Sequence, residues 1–153
     1  MNILQMGIGY LGRVFLSIIF LFSALVEVWD FGTTEQYYNT IFTRWLHLYQ
    51  GNETMSLWLA DLLSWLPTIV IVSIALRFLG SFLMVLGYRV RIGAFFLLLF
   101  AIAESLIIYD FWHLMGPEQT TTMMMFFKNI SIIGGLLVVI ALGKGSGKKE
   151  KTS

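Results

Sequence analysis

Cysteine is absent from the 153 residues. That excludes disulfides, thiol redox chemistry, iron–sulfur clusters and Cys-ligated zinc. Histidine is nearly absent: only His47 and His113 occur, both outside the apolar runs. A buried bis-histidine haem therefore has no ligands here. Charge is scarce as well, at 12% of residues against about 25% in a soluble domain. Nucleotide-binding loops are missing too, and nucleic acid is not an expected partner. What fills the chain is apolar: 58% hydrophobic residues and a mean hydropathy of +0.79. No soluble core of this length buries so much apolar surface, so the composition is that of an integral membrane protein. The net charge of +1 says little, because in such a protein the placement of charge matters more than its sum.

A spanning helix needs about 20 mostly apolar residues. Four segments qualify: about 11–29, 66–87, 92–109 and 123–142. The residues before Leu11 are apolar too, so the first helix starts earlier or follows an interfacial turn. No basic stretch precedes the first run, and Ser23-Ala24-Leu25 is a poor cleavage site. The run is expected to be a retained span rather than a cleaved signal. Between the second and third spans lies only "YRVR", 88–91, which forces an antiparallel helical hairpin. The expected fold is all-α, a four-transmembrane-helix antiparallel bundle forming one domain over 1–143. The remaining 144–153 are expected to be a flexible basic tail.

Arg13, Arg89, Arg91, Lys144, Lys148, Lys149 and Lys151 fall on one side of these spans, and only Arg44 lies in a loop on the other. Both termini are therefore expected in the cytoplasm, with a bacterial inner (plasma) membrane as the location. The outer 30–65 connection carries Tyr38, Ile41, Phe42, Trp45, Leu46 and Tyr49 at helical spacing. An amphipathic interfacial helix over about 35–50 is expected, as a lid on the bundle or as a surface for a partner or lipid.

Ionisable residues inside a span are rare and usually face the bundle interior. Here every span has one: Glu27, Arg77, Glu104 and Lys128. Their depths from the outer boundary are roughly 4, 16, 9 and 9 Å at 1.5 Å per residue. The Arg77 stem can carry its guanidinium outward, so all four can meet in the outer half. Ser73, Arg77 and Ser81 stack on one helix face, and Ser23 lies one turn from Glu27. Ser105, Asn129, Tyr109 and His113 are the other candidate supporting residues. Three readings stand open for the cluster. It is a structural ion-pair network, or a polar site for a quinone head group, a small anion or protons, or an interface with another subunit. "DFWHLMGPEQ", 110–119, offers Asp110, His113 and Glu118, but Gly116-Pro117 breaks the helix and no second histidine is near. No metal site is expected there; a polar cap over the cluster is.

Several motifs together resemble the DoxX family of small four-helix membrane proteins. They are "GRVFLSIIFLFSALVEVWDF" (12–31), "FLG-S-FLMVLGYRVRIGA" (78–94), "DFWHL" and "FFKNISIIGGLLVV" (126–139). Against that family's pattern, Glu27 stands where a lysine is common and Arg77 where a glutamate is common. The resemblance thus implies an ion pair with its signs exchanged. Tyr109 replaces a frequent histidine, Ser105 a threonine and Ala103 a proline, while Glu104 has no usual counterpart. The family also implies a function: an accessory membrane subunit of a quinone-linked or redox-stress system, with a membrane or redox protein as partner. Without cysteine, a metal cluster or a nucleotide-binding loop, no chemistry of its own is expected. The alternatives are a small transporter or proton/anion pathway, and a membrane chaperone or assembly factor acting through the outer amphipathic helix.

Overall fold

The computed structural model describes residues 3–143; the basic tail expected over 144–153 lies outside them. Among the described residues there is no strand. Six helices follow in order: α1 (Ile3–Trp29), α2 (Phe31–Leu48), α3 (Glu53–Ser64), α4 (Leu66–Val85), α5 (Val90–Ile107) and α6 (Pro117–Leu142). A single 3₁₀ turn, Phe111–His113, lies between α5 and α6.

The helix ends follow from local chemistry. Asp30 caps α2 by accepting from the Thr33 amide at 3.3 Å, and Asn52 caps α3 by accepting from Met55 at 3.2 Å. Both side chains satisfy donors that a first turn leaves unpaired. Pro117 opens α6, where its missing N–H costs nothing. The hairpin between α4 and α5 turns through Gly87 at φ 72° and Arg89 at φ 48°, both left-handed. At the other end of α6, Arg91 Nε donates to the Gly143 carbonyl at 2.6 Å. One cation from the first turn of α5 thus satisfies a carbonyl just past the last turn of α6.

Four helical segments are long and apolar enough to cross a membrane: Gly7–Trp29, Leu66–Val85, Val90–His113 and Pro117–Leu142. Their outward side chains are large and apolar; Phe15, Phe22, Phe82 and Leu137 are all more than half exposed. Surface of this kind suits lipid, which leaves no incentive to hide it.

The chain divides into two compact units. The first runs up to Ser23 and resumes at Leu76; the second is Ala24–Ala75. In the second unit α2 packs on α3, with Ile41, Phe42 and Leu59 buried. The first unit holds a core of Phe20, Met84, Val90, Ala94, Leu97, Leu98, Ala101 and Leu136. There α5 packs along α6, and the 3₁₀ turn sits on α6 through Phe111, whose ring is 5.3 Å from that of Phe126. Glycines set the closest approaches. A Cβ on Gly93 would fall 2.6 Å from the Gly80 carbonyl oxygen, so α4 and α5 touch backbone to backbone. A Cβ on Gly135 would fall 3.3 Å from the Leu16 methyl groups, which seats α1 against α6. Small residues at such crossings replace the hydrophobic drive that lipid removes.

Candidate intramembrane polar site

Arg77 is the largest fully buried side chain in the described chain, at 0% exposure. Its Nη1 donates to Ser23 Oγ at 2.6 Å. Its Cζ lies 4.4 Å from the centre of the Phe100 ring, a cation–π contact that strengthens when water is excluded. A charge-assisted hydrogen bond and an aromatic face are thus two of the things that hold a guanidinium inside an apolar core.

Next to this arrangement lies a cavity of about 230 Å³. Ser23 and Phe100, both in contact with Arg77, line it. Its other polar walls are Glu104, Tyr109, Lys128 and Asn129. Its apolar walls are Ile19, Phe20, Met125 and Ile132, from α1 and α6. The cavity therefore has a polar part and an oily part.

Asn129 ties α6 to α5. Its Nδ2 donates to Ser105 Oγ at 2.9 Å and to the Ala101 carbonyl at 3.0 Å. An amide nitrogen has two hydrogens, so the 3.4 Å approach to Glu104 Oε2 is the loosest of its three contacts. Tyr109 Oη donates to Glu104 Oε1 at 3.3 Å. Lys128 lines the same cavity but has no hydrogen bond or ion pair among the described residues.

The first unit thus brings together Ser23, Arg77, Glu104, Ser105, Tyr109, Lys128 and Asn129. Ser81, four residues past Arg77, is fully buried in the same unit, and its hydroxyl has no partner among the described residues. Two expected residues belong to the second unit. Glu27 lies in the last turn of α1, partly buried, and Ser73 donates to the Val70 carbonyl at 2.8 Å. His113 stands apart from the cavity and meets Asp110, Nδ1 to Oδ2, at 3.3 Å. Among the described residues no three His, Cys, Asp or Glu side chains gather as metal ligands.

Sequence reasoning missed Phe100, the Ala101 carbonyl and the burial of Asp110, which is 0% exposed. Phe100 had a signal: it precedes Glu104 by four residues and so shares its helix face. Asp110 had none, because an acid just past a span reads as loop.

Fold and site together define a helical protein with four candidate membrane spans and, lined by three of them, a mostly apolar cavity with a polar part. The family model for HR-like lesion-inducing proteins matches residues 6–142, and the chain belongs to that family. This corrects the resemblance to DoxX, a different family. The resemblance rested on a glycine-containing span, an arginine turn and a Gly-Gly helix. Those features are what a bilayer asks of many helical hairpins: small residues where helices cross and basic residues in the cytoplasmic turn. The notion that this chain carries that family's pair with its signs exchanged came from that comparison and falls with it. No curated protein and no solved structure matches the chain.

Proposed function

We propose that this chain is an integral membrane protein that receives a small ligand in its intramembrane cavity and does no chemistry of its own. Its four long helices span as an antiparallel bundle, with both termini and the 88–91 turn in the cytoplasm. α2 lies as an amphipathic helix in the outer interface. The observation that carries the reading is the cavity. It sets Lys128 and Glu104 in the walls of one space, at a depth where ionisable groups are costly and usually functional. A purely structural ion network is expected to close on itself. Here the polar groups border about 230 Å³ of space, more than the roughly 150 Å³ of an engineered cavity that takes up benzene.

Single-cysteine labelling tests both parts of this reading, and the cysteine-free chain gives a clean background. An impermeant thiol reagent should reach Tyr88→Cys only from the cytoplasmic side and Glu118→Cys only from the other. A small permeant maleimide should reach Ser23→Cys, where the Arg77 cation favours the thiolate, and should spare Leu136→Cys in the core. Labelling of both turns from one side refutes the topology. A Ser23→Cys thiol as inert as that of Leu136→Cys refutes the open cavity.

A further inference from the structure

The polar groups of the cavity differ in what they still need. The Glu104 carboxylate is approached by the Tyr109 hydroxyl and the Asn129 amide. The Asn129 hydrogens are taken at short range by Ser105 and Ala101. Arg77 is held by Ser23 and Phe100 from behind the wall. Lys128 alone among the charged lining residues has no partner among the described residues. It stands eleven residues into α6 from Pro117 and fourteen before Leu142. The apolar run begins only at Met123, so Lys128 lies roughly 9 Å inside it at 1.5 Å per residue, as an exposed residue of the cavity wall. An ammonium there calls for an anion. The space beside it is walled by Ile19, Phe20, Phe100, Met125 and Ile132, which calls for hydrocarbon.

We infer that the cavity ligand is an amphipathic anion, with a carboxylate or phosphate head on Lys128 and an apolar tail along α1 and α6. This rests on reading the cavity as a ligand site. A neutral ring with carbonyl groups would leave the ammonium without a counter-charge. A cation would be repelled by Lys128, and the carboxylate in the wall, Glu104, already accepts from Tyr109 and Asn129. The head group belongs either to a lipid of the surrounding bilayer or to a free amphipathic acid. The recognising chemistry is the same in both cases.

The test uses the full-length protein in phosphatidylcholine nanodiscs with three ten-carbon probes: decanoate, decanol and decyltrimethylammonium. Binding is read as thermal stabilisation and by native mass spectrometry. Wild type should prefer decanoate over decanol by about tenfold, the scale of one charge-assisted hydrogen bond. Lys128→Met should lose the preference, Lys128→Arg should keep it, and the cavity-filling Ile132→Trp and Ile19→Trp should bind none of the probes. In a second arm phosphatidylglycerol is added to the discs. Competition with decanoate assigns the head group to a membrane lipid, and no competition assigns it to a free acid; either result supports an anionic ligand. If decanol matches decanoate in wild type, yet both are lost on filling the cavity, the anionic class is overturned and the ligand site stands. If filling the cavity changes nothing, both are overturned.

Discussion

The Arg77 guanidinium is fully buried, 2.6 Å from the Ser23 hydroxyl and 4.4 Å from the Phe100 ring centre. A desolvated cation–π contact is worth about 2 kcal/mol, and a hydrogen bond to a charged group about 1.5–3 kcal/mol. A double-mutant cycle of Arg77→Met and Phe100→Leu isolates the first of these from other losses. Read by unfolding in mild detergent, it should return a coupling of about 1–2 kcal/mol; additive changes would show that the ring does not hold the cation. At this scale the sequence was legible in its charges and blind to their supports. A lone arginine in an apolar run is conspicuous. Phe100 is not, because Phe95, Phe96 and Phe100 share one span and only the fold singles out the ring beneath the guanidinium. Asn129 stood out as a polar residue, but its partner, the Ala101 carbonyl, is a backbone group that any residue carries.

The long helices were legible because lipid imposes both their length and their composition. Their ends were less so. The apolar run of the fourth span begins at Met123, but α6 begins at Pro117. Gln119 and Thr120–Thr122 are polar without breaking a helix, so hydropathy marks where lipid starts and not where the backbone starts to coil. The α4–α5 hairpin was legible in its four-residue link, and its tightness was not. That tightness depends on Gly80 and Gly93 falling opposite one another. Gly93→Ala should destabilise the first unit by about 1–3 kcal/mol, as overpacking does in a tight core. Gly134→Ala, with nothing within 4 Å of its added Cβ, should be neutral or stabilising by up to about 1 kcal/mol from helix propensity. Melting curves of the two variants check this contrast. Equal melting temperatures would contradict the backbone contact between α4 and α5.

For the molecule as a whole, composition and span count announced a membrane protein, and the four long apolar helices agree with that. Family membership was not legible from motifs quoted by eye, because bilayer packing repeats the same small, basic and aromatic residues in unrelated hairpins. The central claim is that the cavity beside Arg77 takes up a ligand. Photolabelling in native membranes with an amphipathic carboxylate carrying a diazirine on its tail tests it most directly. The account predicts crosslinks at the walls of the cavity, around Ile19–Ser23 on α1 and Met125–Ile132 on α6, abolished by Ile132→Trp. Crosslinks spread over the exposed side chains of Phe15, Phe82 and Leu137, with a yield unchanged in Ile132→Trp, would contradict it.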